Sequence, residues 1–324
     1  MILTTAIVIT IISYFHHNQL PIYDINLAVK FILNKQNSND FDKISKVLGY
    51  EPTDKLLIIH ADDVGLCESV NSATFESFKN ESISSAAVML TTSEIDEVAN
   101  FSINNPNFDM GIHLTVTSEW KYHKWGGVLK NNDISSLLNS KNQLYWNKRK
   151  FTKNGKLNEI RKELQAQIDL GISMGFNPSH IDSHEGALFF DPDIFRLYLD
   201  LAKENDLLAF VPIQASVHFD KNFEKPKHAI IIDQFHMLPE GTEINEIKKY
   251  YFEVIENLKP GLSQIIIHLG KDEEELRKIT VDHPNFDYRW RQLDFDIFNS
   301  NEFKSHLKEN NIKIITWEDL KKLI

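Results

Sequence analysis

Short apolar, β-branched runs recur along this chain at residues 56–60, 84–90, 108–114, 179–182, 207–211, 229–232, 264–268 and 312–316, and helical patterns fill most of the gaps between them. Strands that alternate with helices read as βαβ units, in which the helix returns the chain so that the next strand runs parallel to the last. The spacing therefore predicts an α/β fold, a TIM-barrel-like (β/α) barrel of seven to eight parallel strands. The clearest helical stretch is 156–174, where Ile160, Leu164 and Ile168 recur every fourth residue among charged neighbours. Gly175 supplies its stop and Pro178 follows. Residues 68–79, 192–204, 243–258 and 301–310 behave similarly. A length of 324 residues, 42% of them hydrophobic, suits one such domain with an insertion and a sizeable core.

The chemistry gathers at the strand ends. Leu56-Leu57-Ile58-Ile59 runs into His60-Ala61-Asp62-Asp63-Val64-Gly65, so two adjacent carboxylates arrive where a buried strand finishes. Burying both needs a cation or a shared proton. Neighbouring residues of a regular strand point to opposite sides, but a backbone that turns towards Gly65 lets both acids flank one site. The plainer alternative is a strand end whose acids cap the next helix. Histidines end three further strands: His113 in Met110-Gly111-Ile112-His113-Leu114, His180 and His184 in His180-Ile181-Asp182-Ser183-His184, and His268 in Ile265-Ile266-Ile267-His268. One Asp with two His suits zinc or another first-row divalent ion and leaves positions open for water and substrate, as a catalytic site requires. In a (β/α) barrel such residues sit at the carboxyl ends of the strands, where these fall.

Composition sets bounds. With 46 acidic and 35 basic residues, a formal charge of −11 argues against a nucleic-acid partner. Cys67 is the single cysteine, which excludes an intrachain disulfide and a thiolate metal cluster. Residues 1–15 carry no charge, and with the polar stretch after them make 1–50 an N-terminal signal or anchor segment and linker, against the alternative of a buried N-terminal helix. An anchor implies an extracytoplasmic or membrane-tethered protein; without it the reading is cytoplasmic. Residues 51–324 then form the barrel domain, with a long loop insertion at 115–154 that arches over the site mouth. Within it Trp120, Tyr122, Trp125 and Trp146 offer flat faces for sugar rings, or pack the loop onto the barrel.

These motifs resemble the YdjC-like carbohydrate deacetylases, a family that includes chitooligosaccharide deacetylase and the hopanoid-associated deacetylases. Ala61-Asp62-Asp63-Val64-Gly65 with Val70-Asn71 resembles the family's Ala-Asp-Asp-Phe-Gly and the Val-Asn beyond it. Gly111-Ile112-His113-Leu114 resembles Gly-Leu-His-Leu, and His180-Ile181-Asp182-Ser183-His184 resembles His-Leu-Asp-Ser-His. His268 stands at the family's His-Pro-Gly, and Arg291-Gln292-Leu293-Asp294 resembles Arg-x-x-Glu. The chain departs from the pattern at His60, where many members carry Asn, at Leu269 in place of Pro, and at Glu185-Gly186-Ala187 after the His-rich strand.

The resemblance implies a polysaccharide-deacetylase-like barrel and a metal-dependent hydrolase that removes N-acetyl groups from an amino sugar or oligosaccharide. It implies Asp63, His113 and His180 as metal ligands, Asp62 as general base and His268 as general acid. His184 stays open as the second histidine ligand, since two-residue steps along a strand put His180, Asp182 and His184 on one side. Asp182, Arg291, Trp120 and Trp125 are the remaining candidates for substrate contact or support. The implied cofactor is a divalent ion, Mg2+ or Zn2+, with Mn2+ or Co2+ as alternatives; the implied partner is a small carbohydrate, and oligomeric state is open. Two other functions fit the same residues: an O-acetyl esterase on carbohydrate, and a sugar-binding protein without activity.

Overall fold

In the computed structural model, which describes residues 41–283 and 285–324, β1 (Lys55–Val64) is buried at nine of its ten positions, as a parallel strand covered on both faces should be. Residues 1–40, most of the expected signal or anchor segment and linker, lie outside the described residues. Among those described, no helix is long and apolar enough to cross a membrane. The other strands are β2 (Ser85–Val88), β3 (Met110–Leu114), β4 (His180–Ser183), β5 (Leu208–Pro212), β6 (Ala229–Ile232), β7 (Gln234–Met237), β8 (Gly261–Ile267) and β9 (Ile312–Ile314). They pair in the order β6-β5-β4-β3-β2-β1-β8-β7, and every pairing is parallel. All eight apolar runs read from the sequence become strands, and the sheet forms a nearly closed barrel.

The ring closes through a strand that the sequence does not announce. β6 and β7 are separated by Asp233 alone; β6 pairs with β5, and β7 pairs with β8. One stretch of chain therefore bends at Asp233 and changes partner, so closure there is covalent. β9 adds to the other end of the barrel: it pairs with Lys55–Leu57 of β1, while β2 takes the later stretch from His60 to Val64.

Helices shield the outside. The helix Leu157–Ser173 buries Ile160, Leu164 and Ile168 completely, on the spacing expected, and Gly175 at φ +94° follows its end. The helix Pro192–Glu204 begins under the side chain of Asp191, which accepts from the backbone of Asp193 and Ile194. Its Tyr198 hydroxyl lies 2.7 Å from Ile181 O and 3.0 Å from Phe210 O, tying β4 to β5.

Trp317, which follows β9, forms the barrel floor. It is fully buried, its backbone N–H donates to Asp109 Oδ2 (2.7 Å) and its Nε1 to Gln264 Oε1 (3.0 Å). Its ring stacks on His180 at 4.7 Å between centroids. His180 in turn fills the space over Gly111, where a Cβ would stand 2.4 Å from His180 Cε1. Gly111→Ala is therefore expected to cost about 1–3 kcal/mol through overpacking, read by urea denaturation. Parent-like stability would mean that the His180 ring can move aside.

The 115–154 insertion is more ordered than a simple loop. Thr117 and Leu138 make isolated bridges to Tyr145 and Leu144, and a helix forms at Lys148–Asn154. The buried Glu163 carboxylate holds it to the barrel, accepting from Val128 N (2.7 Å) and Leu129 N (3.0 Å).

Candidate active site

Asp62 and Asp63 reach one site because β1 does not stay regular. Its register against β2 shifts between Ala61 and Val64, and Asp63 sits at φ +64°. This bulge inserts a residue and re-aims the side chains after it, so consecutive acids converge where a flat strand would part them. A non-glycine residue in the left-handed region is strained, and such strain concentrates at functional positions.

Two imidazole nitrogens meet Asp63 Oδ1. His184 Nδ1 lies 3.2 Å from it, His113 Nε2 lies 3.5 Å from it, and the two imidazole nitrogens are 3.3 Å apart. Asp63 Oδ1 is buried and makes no hydrogen bond. The far nitrogen of each imidazole faces a carboxylate: His113 Nδ1 lies 2.7 Å from Asp182 Oδ1, and His184 Nε2 lies 2.9 Å from Glu119 Oε2. Carboxylates behind histidines fix the tautomer and aim the free nitrogen inward, the usual support of a metal-ligating imidazole. The donor set therefore fits a divalent cation held by Asp63, His113 and His184.

The structure places His184, and not His180, beside Asp63 and His113. The two histidines are four residues apart, a span of about 13 Å along an extended chain, too far for both to meet one ion. His180 lies deeper, in a separate buried group with His60 and Asp182. Its Nδ1 lies 2.7 Å from Ser179 Oγ, and its ring meets His60 edge-on at 5.1 Å. His60 Nε2 lies 3.1 Å from Asp182 Oδ2 and 3.3 Å from Asp62 Oδ1, linking the two acids from below.

The electrostatics show a site short of positive charge. Burial would raise Asp63, but the Arg291 guanidinium, 2.6 Å away, and the adjacent His113 and His184 imidazoles hold it well below the usual carboxylate range. Burial would lower His184, yet Glu119 and Asp63 push it up to about 10; Asp182 and Asp62 likewise hold His113 well above its ordinary value. Three low carboxylates, Asp63, Asp182 and Glu119, thus draw protons onto both imidazoles. A bound cation meets the same demand. Asp62 differs: burial, reinforced by Asp182 and Asp63 and opposed by His113 and His60, pushes it up to about 7.

His268 stands just past β8, partly exposed, against the ring of Phe286 (4.7 Å). Its backbone N–H donates to Asp294 Oδ2 (2.9 Å), whose other oxygen accepts from Tyr251 Oη (2.8 Å). Burial brings the His268 imidazole down to about 3, so it is neutral at pH 7. Arg291 is 1% exposed, which makes it an internal partner of Asp63; its guanidinium also lies 5.5 Å from the Trp120 ring.

Asp62, Asp63, His113, His184 and His268 line one cavity of about 260 Å³. Apolar side chains share the lining: Phe210 of β5, Phe235 and Met237 of β7, and Ile266 of β8. Trp120 lines it too, whereas Trp125 is buried within the loop, its Nε1 donating to Thr117 O (2.9 Å). Tyr122 and Trp146 are exposed and lie outside this lining. Sequence reasoning missed Glu119, which sits in a loop without period, and met Glu185 only as a departure from the family pattern; both are in this lining.

A family model for YdjC-like proteins matches residues 56–309. This chain belongs to the YdjC-like family. The YdjC-like match takes in every residue of the polar cluster and stops before Trp317. The chain is 25% identical over 267 residues to a carbohydrate deacetylase of Clostridium beijerinckii, covering 82% of this chain and 99% of that protein. It is 33% identical over 160 residues to a chitooligosaccharide deacetylase of Yersinia enterocolitica, covering 48% and 58% respectively. A crystal structure from Enterococcus faecalis, of a candidate cellobiose-phosphate cleavage protein, superposes with a TM-score of 0.68 at 21% identity, covering 83% of this YdjC-like chain and 99% of that one. That similarity concerns the fold.

Proposed function

We propose that this YdjC-like chain is a metal-dependent hydrolase that removes the N-acetyl group from an amino sugar or oligosaccharide. The observation that carries the reading is the convergence of Asp63, His113 and His184, each backed by a charged partner, with Asp62 at the edge of that cradle. Relatives named carbohydrate deacetylase and chitooligosaccharide deacetylase support the substrate class.

Polarisation of the acetyl carbonyl and a lowered pKa for the attacking water are the chemistry that a divalent cation supplies when bound. Zn2+ and Mg2+ are the leading candidates, and a His-rich donor set favours Zn2+. Asp62 takes the proton of the attacking water, and a carboxyl near 7 is matched to that task at neutral pH. Arg291 holds Asp63 ionised and aimed. Asp182 and Glu119 keep His113 and His184 turned inward. His268 serves the departing amine from the β8 side; since its resting ring is neutral, the proton it delivers has first to reach it during the reaction. That neutrality also favours a second reading, hydrolysis of an O-acetyl ester, whose alkoxide leaves with less help than an amide nitrogen.

Acetate release from matched N-acetylated and O-acetylated sugars, with metal-stripped protein and added Zn2+, Mg2+, Mn2+ or Co2+, tests both readings. Release is expected only with metal, and faster from the amide. Metal-independent release overturns the mechanism. The ligand assignment has its own readout: His184→Ala should lose metal affinity well beyond the ~10–100-fold that removal of a supporting partner costs, while His180→Ala keeps the metal and loses stability. Calorimetric titration of both variants decides between them.

A further inference from the structure

Glu185 carries two costs that the proposed chemistry does not use. It sits at φ +53° in the turn His184–Gly186, in the left-handed region where glycine is the unstrained residue. Its Oε2 is buried without a hydrogen-bond partner, and its side chain lines the active-site cavity. Lys148, the nearby cation, donates its Nζ to the Glu185 carbonyl (2.9 Å). Thr117, the neighbouring hydroxyl, makes no well-formed bond through its Oγ1. Strain and an unpaired buried acceptor at one cavity-lining residue describe a group prepared for a ligand's donor. The apolar side chains of Phe210, Phe235, Met237 and Ile266 offer a sugar no strong acceptors, and Glu185 is among the carboxylates of the lining that can meet its hydroxyls.

We propose that Glu185 is a specificity-determining residue whose carboxylate accepts a hydrogen bond from a hydroxyl group of the sugar bearing the scissile amide. The identity of that sugar rests on the deacetylase reading; the binding role does not require turnover.

The test uses the metal-loaded full chain with Glu185→Gly and Glu185→Gln. Loss of a hydrogen bond to a charged acceptor predicts a KM for N-acetylated sugar raised about 10–100-fold in Glu185→Gly, with kcat within about threefold. Because glycine relieves the backbone strain, its melting temperature should equal or exceed the parent's, a change that a merely structural role would reverse. Calorimetric binding of N-acetylglucosamine and glucosamine supplies the second arm. If glucosamine alone loses affinity in Glu185→Gln, the carboxylate serves the product's ammonium and the proposal falls; equal losses assign a hydroxyl. An unchanged KM, a fall in melting temperature together with kcat, or reduced metal content in Glu185→Gly overturns the proposal, the last by making Glu185 a ligand with Glu119 and His184. If the parent releases no acetate, the deacetylase reading fails by itself, and the binding arm decides: a tenfold weaker Glu185→Gly upholds the role, while equal binding or none by the parent overturns it.

Discussion

Arg291→Leu is expected to destabilise the fold by about 3–5 kcal/mol at neutral pH, because it leaves the buried Asp63 carboxylate without its counter-charge. Arg291 is 1% exposed and its Nη2 lies 2.6 Å from Asp63 Oδ2, so little water screens the pair. Its Nε also donates to Phe286 O (2.9 Å), a part-buried acceptor that loses this partner in the variant. The sign of the pH dependence follows. In the parent, Asp63 is held well below its ordinary value, so its contribution is present above the unfolded carboxylate pKa and is lost only as pH falls through the depressed folded value. In the variant burial acts with less opposition and the folded value rises, so the deficit is largest near pH 7 and shrinks as the solution is acidified towards 4. Urea denaturation of metal-free parent and variant at both pH values checks this. Equal stability at pH 7 would show that the pair contributes nothing net.

Asp62→Asn should lower kcat for acetate release by about 10²–10⁴, the usual contribution of a general base, with metal content and sugar affinity close to the parent's. Asparagine keeps the shape of the side chain, and Asp62 Oδ1 makes no hydrogen bond that the change would break. Its carboxyl stands near 7 because burial and the neighbouring acids oppose ionisation, and the amide removes that cost. The variant should therefore fold at least as stably as the parent while turning over far more slowly. A kcat within a few-fold of the parent's would move the base elsewhere in the site.

Most of the barrel was legible because buried parallel strands are nearly continuous apolar runs, and all eight such runs are strands. β7 was not: Gln234-Phe235-His236-Met237 alternates polar and apolar over only four half-buried residues and follows Asp233 with no helix between, so it breaks the strand-helix rhythm that marks the others. The acids were legible as a pair, but not the device that unites them. A bulge with Asp63 at positive φ leaves no compositional trace, since aspartate is not glycine. The choice between His180 and His184 was open because strand alternation puts both on one side. β4 ends at Ser183 and His184 begins a tighter turn, so the alternation stops one residue before it decides the question. Glu119 was out of reach because its partner His184 is distant in sequence and its own loop carries no period.

The barrel floor changes what the far end of this chain is for. Trp317 bears on His180, His180 on His60, His60 on Asp182, and Asp182 on His113, so a line of side chains in contact runs from the last helix to the reacting centre. The residues after 309 thus act as a foundation: remote from the substrate and beyond the family match, they set the height at which the imidazoles stand. Two proteins alike across the matched region but built on different foundations need not hold their ligands at the same level.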